Sequence, residues 1–452
     1  MHITDFMSST VNEHPTVKAF RAKPVTPVVS APLDAAWLRK LCLEAGADDV
    51  GFVEAGRVSL GDERGRIQRA FPRTRSLISF VVRMNRDNVR SPARSVANNE
   101  FHHTGDEVNE VAHSITAALE RSGIRALNPP MAFPMEADRW GTDRMWEVAH
   151  KPVAVAAGLG RMGIHRNVIH PRFGNFILLG TVLLGAEISE YAQELDYNPC
   201  LECKLCVAAC PVGAISADGA FNFSACYTHN YREFMSGFID WVETISESRT
   251  RLDYRRRVTD PESISMWQSL SFSPNYKAAY CMAVCPAGED VIGEYLTSKK
   301  EFADEVMRPL QAKIEPVYVV PGSDAEAHVR KRYPHKTIRH VRNRIRTLSV
   351  MAFLRGLPLA FQRQTAGNLD AVYHFTFTGT ESTEATVTIR AGTIKVETGR
   401  IGTSNLHVVA DSQTWLGFLA KEKNLLWALL TRKIRLRGKP RWLLKFSRCF
   451  PS

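Results

Sequence analysis

The stretch from Asn198 to Gly219, "NPCLECKLCVAACPVGAISADG", decides what kind of domain the middle of this chain forms. Four cysteines in it follow the spacing C-x2-C-x2-C-x3-C, and a proline comes directly after the last: Cys200, Cys203, Cys206 and Cys210. In the bacterial ferredoxin pattern, three thiolates of such a run hold one iron–sulfur cluster and the fourth reaches a second cluster. The stretch therefore predicts a ferredoxin-like domain with two clusters.

A partner run stands further along the chain in "AAYCMAVCP", which ends in a second Cys-Pro pair. The first position of the expected C-x2-C-x3-C-P run is occupied by Ala278, while Cys226 lies between the two runs. The pattern predicts one [4Fe-4S] cluster on four thiolates, Cys200, Cys203, Cys206 and Cys285. It leaves three thiolates for the second cluster, Cys210, Cys226 and Cys281.

Three thiolates leave the type of the second cluster open. It is either a [3Fe-4S] cluster or a [4Fe-4S] cluster with water or a residue such as His229 at the fourth iron. The alternative for the whole group is a zinc knuckle, but two Cys-Pro endings and seven cysteines in this order favour iron–sulfur clusters. A further group, His102, His103 and His113, could bind metal, although histidines on a helix surface are the commoner explanation.

The bulk composition is that of an ordinary globular protein of two to four domains. The chain has 452 residues, of which 23% are charged, and a net charge of +11. No apolar run approaches the roughly 18 residues of a membrane span. The first residues show neither a basic start with an apolar run nor a twin-arginine pair, so we expect a cytoplasmic protein.

The positive charge is concentrated in two segments, Arg330–Arg346 and Thr431–Ser452, each with eight Lys or Arg and no acid. Such runs are either solvated surface or sites that attract anionic lipid or nucleic acid. Few aromatic residues are interleaved as stacking platforms for bases. We therefore expect peripheral contact with a membrane rather than a nucleic-acid partner.

The pattern of apolar residues and turns divides the chain into five parts. An irregular arm over 1–32 precedes alternating strands and helices over 33–194, which predict an α/β sheet domain. The ferredoxin-like domain spans 195–300, and a basic linker spans 301–346. Alternating strands with glycine turns, followed by helices, predict a last α+β domain over 347–452. The predicted fold class is thus a multidomain α+β protein.

The segment "HKPVAVAAGLGRMGIHRNVIHPRFG" (residues 150–174) contains G-x-G-x-x-G but lacks the preceding strand of a dinucleotide-binding turn. Together with the apolar strand and cysteine run behind it, it resembles the cobalamin-dependent reductases, which include reductive dehalogenases and epoxyqueuosine reductases. The resemblance covers about residues 35–300. It implies a nitroreductase-like α/β domain that holds a corrinoid over one cluster.

The resemblance also implies site residues. The candidates to face the corrinoid are Gly158, Leu159, Gly160, Met162, Gly163, Phe173 and Gly174. The alternative is that the glycines only permit tight turns. Counting back about thirteen residues from Ala157, as the resemblance suggests for the proton donor, reaches Arg144, so its neighbour Asp143 is the candidate general acid. A plain loop aspartate is the alternative.

The last hundred residues resemble the sterol-carrier-protein type of lipid-binding domain. The matching text is "LDAVYHFTFTG", "TIRAGTIKVETG" and "ADSQTWLGFLA", in that order. The resemblance implies a five-stranded sheet with helices around an apolar tunnel. Four residues are then expected in the core or the tunnel wall, Trp415, Phe418, Leu426 and Trp427.

Taken together, these patterns predict an iron–sulfur, cobalamin-dependent reductase of the reductive dehalogenase type. It would take electrons from a low-potential donor of the ferredoxin or flavodoxin type and act on a hydrophobic or lipid-delivered substrate. Two alternatives stay open. One is an electron-transfer protein whose α/β domain has lost its cofactor, and the other is a lipid carrier in which the clusters sense redox state.

Overall fold

The computed structural model describes residues 9–22, 31–139, 145–343 and 345–451. It is a mixed α+β structure of several parts. Among the described residues, the helices are all too short or too polar to serve as a membrane span. The arm that was expected to be irregular contains helix α1 (Pro15–Arg21). This helix forms because Pro15 suits a first helical position and His14 Nδ1 accepts a hydrogen bond from the Thr16 backbone.

The first domain is built on a four-stranded antiparallel sheet in the order β1-β2-β6-β3. Its strands, together with a small separate hairpin of β4 and β5, are β1 (Asp49–Glu54), β2 (Ser76–Arg83), β3 (Ala126–Leu127), β4 (Arg161–Met162), β5 (Val168–Ile169) and β6 (Ile177–Leu184). Strand β2 is buried on both faces, which explains why it reads as one apolar run.

Helices cover both faces of this sheet, as the alternation of strands and helices predicted. They are α2 (Ala35–Glu44), α3 (Glu63–Ala70), α4 (Arg86–Arg90), α5 (Arg94–Arg121) and α6 (His150–Ala156). The core on one face joins α2 and α5 to the sheet, with Leu38 and Ile115 fully buried. The core on the other face joins α3 and α6 to it, with Ile67 and Val153 fully buried.

The cysteine-rich part is helical. Its helices are α7 (Leu205–Ala209), α8 (Phe223–Asn230), α9 (Met235–Glu247), α10 (Arg251–Arg257), α11 (Asp260–Phe272), α12 (Tyr280–Ala283), α13 (Ile292–Thr297), α14 (Lys299–Phe302) and α15 (Arg308–Ala312), with a π-helical turn over Ala303–Met307. Helices α7 and α12 pack against each other. Helices α9 to α11 form an insertion between Cys226 and Cys281.

The segment expected to be a basic linker is folded. It forms β7 (Pro316–Val319), α16 (Asp324–Arg332) and β8 (Thr337–His340), and β7 pairs with β8 in parallel. The apolar side of this unit, including Val317 and Val329, belongs to the same core as α7 and α12. A segment with its own buried strand and helix is part of a domain rather than a connector.

Most of the charge in this segment is balanced inside the molecule. Five of the eight basic residues of Arg330–Arg346 pair with carboxylates, namely Arg330, Lys336, Arg339, Arg342 and Arg346. Glu243 and Glu247 in α9 and Glu262 in α11 supply most of these carboxylates. The sequence pattern missed them because they lie some 80 to 100 residues away along the chain.

The last domain contains the five-stranded sheet that the resemblance implied, in the order β11-β10-β9-β12-β13. Strands β9 and β12 are parallel and the other pairs antiparallel. The elements are α17 (Val350–Ala360), α18 (Arg363–Ala366), β9 (Ala371–Thr378), β10 (Thr383–Arg390), β11 (Thr393–Thr398), β12 (Leu406–Asp411), α19 (Ser412–Leu419), α20 (Leu425–Leu430), β13 (Ile434–Gly438) and α21 (Arg441–Arg448). The sterol-carrier assignment itself stays a prediction.

Candidate iron–sulfur site

Four cysteines line one cavity, and they are the four that the spacing assigned to the first cluster: Cys200, Cys203, Cys206 and Cys285. The first two lie in the loop before α7, where Glu202 and Lys204 adopt positive φ angles of 55° and 54° that let the loop curl. The backbone N–H of Ile164 points at Cys200 Sγ, 3.4 Å away. The first domain therefore forms part of the cavity wall.

The chemistry of these donors fits a [4Fe-4S] cluster. Burial raises the pKa of the Cys285 thiol to about 12, and burial followed by the neighbouring thiols raises that of Cys206 further. A positively charged cluster would replace these protons, because metals bind the thiolate form. The nine cysteines form no disulfide bond. Across the described ranges, no three Cys, His, Asp or Glu side chains lie close enough together to hold a single metal ion.

The remaining three thiols form a second group in a common core with Ala278: Cys210, Cys226 and Cys281. Burial and then the charge of Cys210 raise the pKa of Cys281 to about 12. Ala278 is only 5% exposed, and its backbone N–H donates to Asn230 Oδ1 at 2.9 Å. A methyl group therefore stands where the ferredoxin pattern has a fourth thiolate.

Each of the two short helices serves both groups. Helix α7 carries Cys206 of the first group and ends at Cys210 of the second. Helix α12 carries Cys281 of the second group and is followed by Cys285 of the first. This crosswise arrangement is the one that the ferredoxin spacing predicts.

His229 is poorly prepared to complete the second group. It is buried, and its Nδ1 accepts a hydrogen bond from the Tyr318 backbone N–H at 3.3 Å. Burial lowers its pKa to about 3, so the ring is neutral and its proton is on Nε2. In this state Nε2 carries the proton, and it has no hydrogen-bond partner within the described residues. His229 would have to release that proton to bind iron, so a three-iron cluster, a solvent ligand and His229 all stay open.

Two functional features near the second group were missed by the sequence analysis. The first is Arg94, a buried residue whose guanidinium lies 5.4 Å from the ring centroid of Tyr280, the neighbour of Cys281. Its Nη1 donates to two backbone carbonyls, but Nε and Nη2 have no hydrogen-bond partner, and no carboxylate within the described chain pairs with it. A lone arginine of this kind has no sequence signature.

The second missed feature is an aromatic wall formed by Tyr231, Phe234 and Tyr276, whose ring centroids are 4.9 to 5.5 Å apart. Burial raises the pKa of the Tyr231 hydroxyl well above its usual range, followed by the charges of Tyr276 and Cys226. The wall is therefore a packed aromatic cluster that adjoins the second cysteine group.

The glycines expected to face a corrinoid are closely packed against the protein itself. A Cβ atom at Gly160 or Gly174 would collide with the carbonyl of Ile169 or Ala287. Gly158 and Gly174 also have positive φ angles of 72° and 64°. Tight turns and close approach thus explain these glycines without a ligand.

The other loop candidates differ in exposure. Leu159 and Phe173 are buried, and Phe173 stacks on the His170 ring at 4.6 Å. Gly163 packs against its neighbours, whereas Met162 is exposed. The corrinoid contact of the seven loop residues stays a prediction.

Two further predictions concern the general acid and a group of three histidines. Asp143 lies outside the described residues. The three histidines, His102, His103 and His113, are spread along α5 and belong to no metal-binding group within the described ranges.

The four tail residues separate into two kinds. Trp415 is 2% exposed and packs among Phe353, Phe375 and Phe377, and Phe418 packs at the edge of that core. Leu426 and Trp427 were expected in the core or tunnel wall, but they are exposed. The reason is the short length of α20, which turns only Ala428 fully into the core.

Comparison with known proteins agrees with the cluster chemistry. Residues 194–216 match the family of the 4Fe-4S binding domain. The epoxyqueuosine reductase of Vibrio cholerae is 32% identical over 92 residues, which is 20% of this chain and 24% of that protein. The match therefore spans about a quarter of that relative's length.

Solved structures match at low TM-scores. An epoxyqueuosine reductase with an epoxyqueuosine-modified tRNA-Tyr stem loop gives 0.32 at 18% identity, over 43% of this chain and 56% of that chain. A reductive dehalogenase, whose structure suggests a mechanism for B12-dependent dehalogenation, gives 0.39 at 16% identity, over 69% of this chain and 39% of that chain.

One expectation needs correction. The expectation that no nucleic acid is a partner is wrong, because one of the matched structures contains a tRNA stem loop. The composition of the basic segments was not enough to exclude nucleic acid. The conclusion from the site and the comparisons is that this chain contains a 4Fe-4S binding domain and is related in sequence to epoxyqueuosine reductases.

Proposed function

We propose that this protein is an iron–sulfur reductase of the epoxyqueuosine reductase and reductive dehalogenase type, with two clusters in series. The observation that carries the proposal is that α7 and α12 each supply one thiol to the group of four and one thiol to the group of three. The first group would hold a [4Fe-4S] cluster, and the second a [3Fe-4S] or a [4Fe-4S] cluster. Two clusters held by neighbouring helices form an electron path.

The surroundings of the two groups support a direction for this path. Cys200 and Cys203 are only half-buried, and the adjoining Leu201 and Glu202 are exposed, so a low-potential donor of the ferredoxin or flavodoxin type could approach here. The second group adjoins the aromatic wall of Tyr231, Phe234 and Tyr276. Electrons would therefore enter at the first group and reach an apolar ligand near the second.

Cobalamin is part of the proposal through the resemblance and the relatives rather than through the glycine loop, whose residues pack on protein. A bound corrinoid supplies a strongly reducing cobalt centre. This chain would contribute the aromatic wall as an apolar surface and a proton from Asp143.

The tail supports a role for lipid. Its five-stranded sheet has the layout implied by the sterol-carrier resemblance. A hydrophobic substrate delivered by this domain, with the enzyme in peripheral contact with a membrane, is the proposed use.

A second function has specific support. An electron-transfer protein without a corrinoid would explain both the alanine at position 278 and the closely packed glycines at 158, 160 and 174. The two functions differ in a single measurable property, which is the binding of cobalt.

Anaerobic purification with iron and cobalt analysis tests the proposal. We expect about seven or eight irons and, after incubation with hydroxocobalamin, about one cobalt per chain. Cys206→Ala should remove the first cluster and Cys226→Ala the second, as seen by electron paramagnetic resonance. An iron content near four would contradict the two-cluster path, and full iron without cobalt would favour the electron-transfer protein.

A further inference from the structure

Helix α20 presents three large apolar side chains to solvent. Leu426, Trp427 and Leu430 are 70%, 55% and 83% exposed. The helix is held in place at its start, because Asn424 Oδ1 accepts from the backbone N–H groups of Leu426 and Trp427, and Ala428 is fully buried beneath it. The apolar side chains are therefore fixed outward by the fold.

The chain that follows this face carries only positive charges, although the Asp411 carboxylate lies near Lys433. No acidic residue follows Glu422, and Arg432 and Lys433 come directly after α20. All eight basic residues of 431–452 are exposed, and none has a carboxylate partner within the described ranges: Arg432, Lys433, Arg435, Arg437, Lys439, Arg441, Lys445 and Arg448. In Arg330–Arg346, by contrast, five of the eight basic residues are paired, so the second basic segment offers more unpaired charge to an outside partner.

We infer that α20 docks on an anionic lipid surface, with Leu426, Trp427 and Leu430 entering the interface and the basic residues that follow contacting the headgroups. Exposed apolar side chains next to Lys and Arg are the features by which a peripheral helix binds lipid. Tryptophan favours the interface between headgroups and acyl chains. The inference rests on the peripheral membrane contact of the proposed function and names the surface that makes it.

The pairing of apolar and basic residues decides between lipid and nucleic acid. Phosphates would attract the arginines and lysines equally well, and one tryptophan could stack on a base. Leu426 and Leu430 would gain nothing there, whereas their burial in lipid removes apolar surface from water. A second copy of the chain is disfavoured because two such faces would bring like charges together.

Flotation of the full-length protein tests the inference, with phosphatidylcholine vesicles prepared with and without phosphatidylglycerol. We expect the wild type to float only with anionic vesicles. The triple variant Leu426→Ser, Trp427→Ser, Leu430→Ser should lose at least about tenfold in partitioning. The pair Arg432→Gln, Lys433→Gln should lose several-fold, and its difference from wild type should shrink at high salt.

A matched control uses another exposed apolar pair. Trp267 and Leu270 in α11 are 58% and 59% exposed, and no charged residue lies between Ser263 and Tyr276. The variant Trp267→Ser, Leu270→Ser should float like the wild type. The inference would be overturned if the α20 variant floated as well as the wild type, or if only the α11 variant lost flotation. It would also be overturned if the α20 variant kept its flotation but lost dimer formation or RNA-duplex binding.

Iron content, measured on every sample, separates this test from that of the redox function. Flotation of a protein with four irons would support the docking surface while contradicting the two-cluster path. Seven or eight irons in a protein that does not float would support the two-cluster path while contradicting the docking surface.

Discussion

Asp324 binds Gln362 and the first turn of α18 across the junction between the cysteine-rich part and the tail. The Asp324 backbone N–H donates to Gln362 Oε1 at 2.9 Å. In return, the Asp324 carboxylate accepts the backbone N–H groups of Gln364 and Thr365 at 2.8 and 2.9 Å. Helix α18 begins without a side-chain cap from its own N-cap residue, so Asp324 in α16 supplies that cap from another part of the chain.

Replacing Asp324 with Ala should loosen the tail. The loss of a capping carboxylate costs about 1 to 2 kcal/mol, and here it also removes a contact between two parts of the molecule. We expect faster limited proteolysis near residues 360–367 with unchanged iron content. Asp370→Ala, which removes an exposed ion pair with Arg390 in the same domain, is the control and should leave the cleavage rate unchanged. Equal rates in all three proteins would contradict the capping role.

Arg94 should raise the reduction potential of the second cluster. Its buried charge lies beside Tyr280 and Cys281 and forms no ion pair among the described residues, although the Glu315 carboxylate is near enough to act on it. A nearby positive charge stabilises the more negative, reduced cluster. Arg94→Met should lower one of the two potentials by an amount on the order of 50 mV in a redox titration followed by electron paramagnetic resonance.

Two variants sharpen that measurement. Arg94→Lys keeps the charge and should restore most of the potential. Arg90→Met removes an equally buried arginine that pairs with Glu294, and should change neither potential. A full complement of iron with an unchanged potential in Arg94→Met would show that the charge does not act on the cluster.

Ala278→Cys should complete the second cluster. The alanine shares a core with Cys210, Cys226 and Cys281, so a thiol there would add the fourth ligand of the ferredoxin pattern. We expect about eight irons and the loss of any three-iron signal after mild oxidation. Ala325→Cys, at another buried alanine of the same core, should leave the signal as in the wild type. The same three-iron signal in Ala278→Cys and Ala325→Cys would show that position 278 does not supply a fourth ligand.

Lys336 should matter for stability rather than for lipid binding. Its Nζ is fully buried and lies 2.7 Å from Glu315, which also accepts hydrogen bonds from the Tyr280 hydroxyl. Lys336→Met removes the nearer cation of the buried Glu315 carboxylate and leaves only Lys313 at 3.9 Å, so it should destabilise the protein by up to about 3 to 5 kcal/mol. Lys331→Met, at an exposed position of α16, should change the thermal midpoint little. Partial recovery by adding Glu315→Gln would confirm the cause.

His150 should make stability depend on pH. Burial lowers its pKa from the usual 6.5, and its ring lies between the Thr181 hydroxyl at 2.9 Å and the Pro130 carbonyl at 3.2 Å. The unfolded chain therefore binds a proton first as pH falls, so stability is full above about pH 6.5 and declines below it, by at most about 1.4 kcal/mol per pH unit. The thermal midpoint of His150→Gln should fall less than that of the wild type between pH 8 and pH 5.5. Parallel curves would exclude His150 as the cause.

The cysteine groups could be predicted from the sequence because most of their ligands lie in two short runs. The environment of those ligands could not, since the groups that decide it come from distant parts of the chain. Tyr318 sets the tautomer of His229 from 89 positions away, and Arg94 reaches Tyr280 from the first domain. The spacing of the cysteines therefore identifies the sulfur donors, whereas the residues that surround the donors can be identified only from the folded structure.

Charge and hydrophobicity were misjudged for the same reason. The run Arg330–Arg346 was correctly seen as basic, but its partners Glu243 and Glu262 belong to an insertion with no sequence relation to it. Leu426 and Trp427 were expected inside because their residue types are apolar. Only the buried Ala428 of this short helix shows which side faces the core.

The crosswise use of α7 and α12 has a consequence for how the protein is made. Because each helix carries one thiol of either group, neither group of thiols is complete until the chain has passed through the insertion of α9 to α11 and the two helices have met. A newly synthesised chain would then acquire its iron late and all at once. Chains interrupted within the insertion would lack Cys281 and Cys285, so both groups of thiols would stay incomplete.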